Sequence, residues 1–317
     1  MTLSKRFRVR LHPTPPYNVT LTLHKPAGWS LFTPFEVYEE GVLWTALHVN
    51  DTLIGLKLQS QGTTRHPVIL IEVFTKQPCP PSQRRTIQDA LTVRLSTSQD
   101  LSGFYRMARR DPILRHTVAN LYGLHDTGPS HLFAAATLAV LLQMAPLKRS
   151  EAMMECVIRH FGALAHFDGR TIRVSPTPQQ IAKAGMHGLR RCRLGYRAKY
   201  LVQIARILAK NNFPTLESLQ RLSAEAAKEK LLELPGVGDY SADIITPHNS
   251  FPIDVWSADV FGTLFFGREP KSGRRAIDRI KTEGLTRWGA HAWLGFFYVV
   301  QDLEGLSKKL RIPLRLQ

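Results

Sequence analysis

Cysteine is scarce in this chain of 317 residues, which contains only Cys79, Cys156 and Cys192. They do not occur in closely spaced pairs, so we expect three unpaired thiols in a reducing compartment rather than a disulfide framework. Three cysteines are also too few for the four thiolates that commonly hold an iron–sulfur cluster. The sequence therefore predicts neither a disulfide nor an iron–sulfur cluster.

Long apolar segments are missing as well. The longest, 132–142, is interrupted by Thr137 and falls well short of the ~20 residues that span a bilayer. Residues 1–10 are basic but carry no apolar core of a signal peptide. We therefore expect no membrane partner, and a location in the cytoplasm, or in the nucleus if the source is eukaryotic.

Acidic residues are outnumbered by basic ones, with 25 Asp and Glu against 42 Lys and Arg and a net charge of +17. Such a surplus favours a polyanionic partner, either nucleic acid or an anionic membrane surface. Nucleic acid is the better interpretation, because no basic amphipathic anchor or lipidation signal is visible. The length and the 44% hydrophobic content allow a large core and two domains.

The first hundred residues have the composition of β-strands separated by Pro, Gly and Asn-Asp turns. The segment 19–23 shows the alternation of a half-buried strand. A change of texture near 96–102 marks a boundary, so we predict an antiparallel β-rich domain over 1–102. The predicted strands are 7–11, 18–24, 36–38, 43–49, 53–58 and 68–74.

From residue 103 to 317 the pattern is helical, which predicts an all-helical second domain and an α+β fold class. The segment 131–143 is apolar nearly all round and predicts a central buried helix. Other predicted helices cover 150–162, 200–210, 216–221, 224–234 and 288–306.

A glycine turn gives the clearest functional signal. Leu234-Pro235-Gly236-Val237-Gly238 follows the helical run 224–233 and precedes a shorter one. A tight turn of this kind exposes backbone N–H groups at a helix N-terminus, where the helix dipole favours an anion. We therefore expect Gly236, Val237 and Gly238 to contact the phosphate backbone of a nucleic acid over the predicted hairpin, 224–246.

The glycine turn is followed by Pro252-Ile253-Asp254-Val255-Trp256, and this combination resembles the helix-hairpin-helix DNA glycosylase superfamily. The motif order is similar to that of its 8-oxoguanine and 3-methyladenine II members over about 109–300. The resemblance also rests on 111–114, on the helical segments within 132–162, on 194–200 and on Trp288-Gly289-Ala290-His291.

The resemblance implies that Asp254 is the catalytic acid, whose carboxylate stabilises positive charge on the sugar and orients water. The competing interpretation is an ordinary helix N-cap. Members that also cleave the strand carry a lysine where this chain has Tyr240. We therefore expect no strand cleavage through a Schiff base; Lys199 and Lys228 are the alternative amines, neither at the expected position.

Relatives in the family extrude the damaged base and fill the gap it leaves. The resemblance places Gln143, Met144, Tyr196 and Arg197 in that role, against core filling for Met144 and a solvated face for Tyr196 and Arg197. It further implies a base pocket with three candidate residues, Tyr240, His291 and Trp293. The competing interpretations are helix-core packing for Tyr240 and an ordinary structural role for His291.

The segment from Gly238 to Asp254 is a few residues shorter than is usual in the family. Pro247 disfavours helix for the residue before it, so the second hairpin helix should end early, around 246–249. We expect the carboxylate of Asp254 to reach the site all the same.

The sequence thus predicts a monofunctional DNA glycosylase of base excision repair that removes an alkylated purine such as 3-methyladenine. Its partner is double-stranded DNA with a damaged base, and we expect a monomer. No metal or cofactor is predicted, although the resemblance allows a monovalent cation at the hairpin. The alternatives are an oxidised-purine or hypoxanthine glycosylase, and a non-catalytic hairpin protein that only binds DNA.

Overall fold

A five-stranded antiparallel sheet forms the N-terminal part of the protein. The computed structural model describes residues 1–24, 26–27, 35–50, 52–129, 131–247, 250–267 and 273–312. Its strands are ordered β1-β5-β4-β3-β2. They are β1 Lys5–Leu11, β2 Val37–Glu39, β3 Val42–Val49, β4 Thr52–Ser60 and β5 Ile69–Thr75. Together with the helices that follow, this sheet confirms the predicted α+β fold class.

One predicted strand is a helix. Residues Val19–His24 form α1 rather than the strand expected over 18–24. Asn18 starts the helix, because its side-chain Oδ1 accepts from the N–H of Leu21 at 3.0 Å and its carbonyl accepts from Thr22 at 3.0 Å. The buried side chains of Val19, Thr22 and Leu23 follow helical spacing. The prediction was wrong because alternation over five residues does not outweigh a cap of this kind.

The sheet buries both of its faces. One face packs on α2 (Pro81–Arg94), where Ile54 and Ile71 share a core with Leu91. The other carries Trp44 and Phe74. This second face is covered by a hairpin of β6 (Leu164–Phe167) and β7 (Arg170–Arg173), which the sequence did not predict within the helical region. The N-terminal sheet is therefore joined to the rest of the protein by an apolar contact.

The helices build two separate cores. The first contains residues of α5 to α11, and the second contains residues of α3, α4 and α12 to α15. The helices are α3 Ser102–Ala108, α4 Leu114–Asn120, α5 Leu132–Leu142, α6 Leu147–Phe161, α7 Pro178–Leu189, α8 Arg197–Leu208, α9 Leu216–Gln220, α10 Ala224–Leu232, α11 Asp239–Ile245, α12 Val255–Phe266, α13 Arg274–Trp288, α14 Ala292–Gln301 and α15 Leu303–Leu310.

The apolar helix α5 is buried on nearly every side, as its sequence predicts. The helix expected over 288–306 is instead divided. Gly289, with φ +50°, ends α13, and Asp302 separates α14 from α15. The carboxylate of Asp302 accepts from Asn120 at 2.9 Å, so the break is held by a bond to α4 that an apolar pattern does not reveal.

Cys156 and Cys192 form a disulfide, with their Cα atoms 5.4 Å apart and a separation of 36 positions in the sequence. The expectation of three unpaired thiols was therefore wrong, and Cys79 alone stays outside a disulfide. The pairing depends on the packing of α6 against a short 3-10 helix, Arg190–Cys192, which spacing in the sequence does not indicate.

Within the ranges that the structure describes, no helix combines the length and apolar character needed to cross a membrane.

Candidate active site

The glycine turn between α10 and α11 is tightly constrained. Gly236 has φ +76°, and a Cβ at this position would overlap the ring of Tyr200, so only glycine fits both the backbone and the space. The N–H of Val237 donates to the carbonyl of Leu234 at 3.0 Å and is therefore used within the turn. Gly238, another of the predicted phosphate contacts, is exposed and precedes α11 without a side-chain cap.

Asp254 begins α12 and is a helix cap, as the competing interpretation proposed. Its Oδ1 accepts from the N–H of Ser257 at 2.9 Å and from the Ser257 hydroxyl at 2.7 Å. Its other oxygen, Oδ2, accepts from the hydroxyl of Tyr240 at 3.0 Å. The cap does not exclude a catalytic role, because one carboxylate oxygen binds the helix while the other is aimed at a predicted pocket residue.

The short connection after α11 returns Asp254 to the hairpin. The helix ends at Ile245, before Pro247, as the sequence predicts, while His248 and Asn249 lie outside the described residues. Phe251 is fully buried in the second core, with its ring 4.9 Å from that of Phe261. The connection thus crosses from one helical core to the other, and this anchor sets the position from which Asp254 reaches Tyr240.

A cleft of about 280 Å³ lies between the two helical cores. Its walls include Tyr240 from the first core and Trp293 from the second, both predicted as pocket residues. Further apolar lining comes from both sides, namely from Leu138, Leu142, Ile244, Phe296 and Phe297. The arrangement is that of a binding cleft whose walls are mostly apolar, with polar side chains such as Gln99, Asp126 and Gln301 also in its lining.

The hydroxyl of Tyr240 is a neutral donor. Burial, followed by the charge and the hydrogen bond of Asp254, raises the pKa of Tyr240 well above its usual value of 10. The phenol therefore stays protonated at physiological pH and donates a hydrogen bond to the carboxylate of Asp254. Tyr240, which lines the cleft, is in this way hydrogen-bonded to Asp254, the predicted catalytic acid.

Two of the four predicted gap-filling residues, Gln143 and Arg197, form a chain of hydrogen bonds that supports the glycine turn. The side-chain amide of Gln143 donates to the carbonyl of Gly236 at 2.7 Å and to the hydroxyl of Ser241 at 2.9 Å. Arg197 is 5% exposed, and its guanidinium donates through Nε at 3.1 Å and through Nη2 to the carbonyl of Gln143. The solvated-face interpretation of Arg197 was therefore wrong, and its guanidinium is bound to the backbone rather than exposed where it could fill a gap in DNA.

The other two predicted gap-filling residues, Met144 and Tyr196, are exposed and adjoin Gln143 and Arg197 in the sequence. Met144 is 82% exposed, so it is not a core filler, and it has φ +47°, a conformation that non-glycine residues adopt rarely. Tyr196 is 51% exposed, and its ring lies 4.7 Å from the Arg197 guanidinium. An exposed apolar side chain on a firmly bonded backbone is suited to insertion into a stacked duplex.

His291 lies away from the cleft walls. Its ring is 6.0 Å from that of Phe104, and its Nε2 limits the space at Gly103, both on α3. Burial, then the nearby Arg106, lowers the pKa of His291 below its usual value. The structure does not bring this histidine together with Tyr240 and Trp293.

The amine of Lys228 is engaged elsewhere. Its Nζ lies 2.8 Å from Asp239 and 3.8 Å from Asp243. Burial opposes the charge, but these two carboxylates outweigh it and raise the pKa of Lys228. Lys228 is therefore held as an ammonium, whereas a Schiff base requires the neutral amine. Lys199 is exposed on α8.

Ser257 and the supporting role of Gln143 were missed from the sequence. The spacing of Asp254 and Ser257, a cap residue and a hydroxyl three positions on, is the signal that could have indicated Ser257. The bonds of Gln143 to the glycine turn span 93 and 98 residues, and no local pattern marks them.

No family model matches the chain. A curated relative from Bacillus subtilis, a DNA-3-methyladenine glycosylase, is 27% identical over 49% of this chain and 53% of its own length. A probable N-glycosylase/DNA lyase from Methanothermobacter thermautotrophicus is 24% identical over 58% of this chain and 66% of its own. The chain thus spans between half and two thirds of the length of these relatives.

Solved structures match more completely. The 3-methyladenine DNA glycosylase from Archaeoglobus fulgidus superimposes with a TM-score of 0.77 at 22% identity, over 93% of this chain and 98% of that one. The 8-oxoguanine glycosylase/lyase from Clostridium acetobutylicum, in complex with double-stranded DNA containing cytosine opposite 8-oxoguanine, gives 0.70 at 14% identity over 98% and 100%. These likenesses establish the fold. The curated relatives are thus named a DNA-3-methyladenine glycosylase and a probable N-glycosylase/DNA lyase, and the matching folds are those of 3-methyladenine and 8-oxoguanine glycosylases, in agreement with the resemblance found in the sequence.

Proposed function

We propose that this protein is a DNA glycosylase of base excision repair, which hydrolyses the N-glycosidic bond of a damaged base extruded from duplex DNA. The observation that carries the proposal is the bond between Tyr240 and Asp254. It connects a wall of the cleft to a carboxylate whose other oxygen is fixed by Ser257. A site for hydrolysis needs a charged group held in place beside the reacting atoms, and this arrangement provides one.

In the proposed reaction the bond between C1′ and the base nitrogen breaks, and its electron pair leaves with the base. Positive charge then develops on the deoxyribose, and the Asp254 carboxylate stabilises it. A water molecule supplies the oxygen that bonds to C1′, and its proton passes by way of Asp254 to the departing base or to solvent. The products are a free base and an abasic site, and this chemistry uses only a carboxylate and water.

We further propose that the enzyme is monofunctional. Tyr240 occupies the position where strand-cleaving members of the family carry their lysine, and its hydroxyl is already bonded to Asp254. A phenol cannot form a Schiff base with the sugar. Lys228, the nearby alternative, is ion-paired with Asp239. One relative is named a probable N-glycosylase/DNA lyase, so strand cleavage must be measured directly.

The proposed substrate class is the alkylated purines, such as 3-methyladenine. Alkylation on a ring nitrogen makes the base cationic and therefore a good leaving group, so a site with few polar contacts suffices. The aromatic walls that Tyr240, Trp293 and Phe297 give the cleft suit stacking on such a base. Oxidised purines are the second candidate, because a structural neighbour that covers nearly the whole chain is an 8-oxoguanine glycosylase/lyase.

Duplex DNA is the proposed partner. The net charge of +17 provides non-specific attraction to phosphate. The exposed Gly238 lies where the hairpin would contact the backbone of one strand, and Met144 and Tyr196 are the exposed side chains suited to fill the gap left by the extruded base.

The experiment is a panel of otherwise identical duplexes, each with one lesion: 3-methyladenine, 7-methylguanine, hypoxanthine, 8-oxoguanine, or none. We expect release of the methylated purines, with strand breakage only after alkali treatment. Covalent trapping with borohydride should give no protein–DNA adduct. Asp254→Asn should abolish release while keeping duplex binding, which separates a catalytic protein from one that only binds DNA.

Each other outcome changes a defined part of the proposal. Release of 8-oxoguanine or hypoxanthine alone would replace the substrate class. A borohydride-trapped adduct would contradict the monofunctional assignment. Duplex binding without release of any base, in wild type and variant alike, would leave only a DNA-binding function.

A further inference from the structure

Three side chains with metal-binding atoms converge at a point that the proposed reaction does not use. Cys156 and His160 are four residues apart on α6 and so project from the same face of the helix. Cys192 ends the 3-10 helix Arg190–Cys192 that packs against this face. One ligand atom from each residue lies within 4.8 Å of the other two. The Nδ1 of His160 is 3.4 Å from the Sγ of Cys156.

The chemistry of this set suits a thiophilic divalent cation. Thiolate and imidazole are the ligands that zinc prefers, at about 2.3 Å for sulfur and about 2.0–2.1 Å for nitrogen. Ligand atoms on such a cation lie about 3.3–3.8 Å apart when the geometry is tetrahedral. To reach this arrangement the two sulfurs must separate, and the Nδ1 of His160 must leave the carbonyl oxygen of Cys156, which lies 2.9 Å away. Among the residues that the structure describes, no fourth His, Cys, Asp or Glu ligand joins this group, which leaves one coordination position to water.

The two sulfurs are joined to each other in this structure, and a disulfide does not provide thiolate ligands. A phosphine supplies two electrons and water supplies two protons, which converts the disulfide into two thiols, while the oxygen of the water bonds to phosphorus and gives the phosphine oxide. Binding of the cation then displaces the two thiol protons. The cluster therefore has two mutually exclusive states, a covalent cross-link and a metal site.

The surroundings allow both states. His160 is exposed and Cys156 is half-buried, so a small reductant or a cation reaches the cluster from solvent, whereas Cys192 is 5% exposed. The exposed Arg191 and Arg193 flank Cys192 in the sequence. Two thiolates neutralise the charge of a divalent cation, so its binding adds no net positive charge beside these arginines.

We propose that Cys156, His160 and Cys192 form a redox-gated site for a divalent cation of the zinc class, occupied when the disulfide is reduced. In either state α6 stays fastened to the 3-10 helix Arg190–Cys192. That helix ends four residues before Tyr196, and α6 begins three residues after Met144. The site thus maintains the link between the two segments that carry the exposed side chains. It is independent of the proposed glycosylase activity.

The test is metal binding by the full-length chain in its two redox states. The protein is reduced with a phosphine, freed of reductant without oxygen, and titrated with Co²⁺, a spectroscopic substitute for Zn²⁺. We expect one Co²⁺ per reduced chain, with thiolate-to-cobalt charge-transfer absorption that Zn²⁺ abolishes. The oxidised protein should bind none. This comparison uses the wild-type chain, so it does not depend on a variant that folds poorly.

Two variants test the proposed ligands, and a third is the control. Cys192→Ser should remove most of the charge-transfer absorption. His160→Ala should weaken Co²⁺ binding at least about 10-fold, because loss of even an outer-sphere partner costs 10–100-fold. Cys79→Ser is the matched control, since Cys79 lies outside the disulfide, and it should bind like wild type. The proposal is overturned if reduced wild type, with its thiols confirmed by titration, binds no Co²⁺ or Zn²⁺. It also fails if both ligand variants bind as tightly as wild type.

Discussion

Two corners of the molecule meet at the glycine turn, and they are built in opposite ways. At the acid corner, formed by Tyr240, Asp254 and Ser257, every functional side chain is held by a hydrogen bond to another. At the wedge corner, Met144 and Tyr196 are exposed. The bonds there are made by the residues next to them in sequence, Gln143 and Arg197.

The difference follows from what each corner has to do in the proposed reaction. A carboxylate that stabilises developing charge must be oriented before the reaction, so its own atoms are bonded. A side chain that enters a base stack must be free of protein contacts, so its backbone has to be held instead. Both corners bond to the hairpin, through Gln143 to Gly236 and through Tyr240 in α11, and the following changes test the contrast.

The largest effect is expected at the acid corner. Asp254→Asn keeps a residue that caps helices well, so the unfolding free energy should change little. Loss of the negative charge should lower the single-turnover rate of base release by at least about 10²- to 10³-fold. Fluorescence anisotropy should show duplex affinity within a few-fold of wild type. A rate above a tenth of the wild-type value would remove Asp254 from the mechanism.

At the wedge corner the buried support should determine stability. Arg197→Ala leaves the carbonyls of Gln143 and Leu194 without their donor, which should lower the free energy of unfolding by about 2–4 kcal/mol in urea titrations. Lys199→Ala is the control on the same helix. Lys199 is exposed, so the change should stay within about 0.5 kcal/mol. Equal effects of the two substitutions would contradict the supporting role.

Acid should lower the free energy of unfolding through the N-terminus of α5, the helix whose C-terminus leads into Gln143 of the wedge corner. The Nδ1 of His131 caps this helix by accepting from Ala134 at 3.2 Å. Burial, then His48 and Arg94, lowers the pKa of His131 to about 4. The unfolded state takes up the proton first, so the stabilisation is full above about pH 6.5 and is lost as the pH falls towards 4.

The substitution His131→Asn removes the titrating group but keeps an acceptor for the cap. It should flatten the pH dependence of the unfolding free energy between pH 6.5 and 4 by about 1–3 kcal/mol, as followed by urea unfolding at several pH values. An unchanged slope would show that His131 does not titrate in this range.

Truncation of an exposed residue at the wedge corner should weaken DNA binding without changing the stability of the protein. Met144→Ala should leave the unfolding free energy within about 0.5 kcal/mol of wild type and weaken binding to a duplex with an abasic site about 10-fold. Met186, another exposed methionine at 48%, provides the control, and Met186→Ala should change neither quantity. Equal binding by the two variants would exclude Met144 as the inserted side chain.

The smallest effect is expected for Tyr240→Phe, which keeps the ring in the cleft and removes only the hydroxyl. Asp254 still accepts both bonds from Ser257, so base release should fall only about 3-fold. Single-turnover rates of base release, with the unfolding free energy measured in parallel, check this expectation. An unchanged rate would mean that the hydroxyl does not position the acid.

Local patterns in the sequence predicted several of the features that depend on neighbouring residues, although they failed at α1, where the cap by Asn18 was overlooked. The all-apolar stretch of α5 predicted a buried helix, and Pro247 predicted the early end of α11. The motif around Asp254 pointed to the residue that the structure connects to the cleft through Tyr240.

Features that depend on packing between distant segments were not accessible in this way. Arg197 was interpreted as exposed or DNA-facing, but its bonds to Gln143 span 54 residues. The Cys156–Cys192 disulfide and the β6–β7 hairpin on the second face of the sheet also depend on contacts between distant segments, and the sequence did not predict them for the same reason. His291 follows the family order in sequence, yet a turn of backbone at Gly289 leaves it against α3.

The close approach of Gly236 to Tyr200 also restricts how this hairpin can diversify. Laboratory evolution that randomises position 236 alone should recover only glycine, because any added methyl group meets the tyrosine ring. If position 200 is randomised at the same time, a small residue there opens the space, and asparagine, which tolerates positive φ, becomes acceptable at 236. The residues allowed at position 236 thus depend on the residue at position 200. A library that varies the two positions separately will therefore miss the functional double variants.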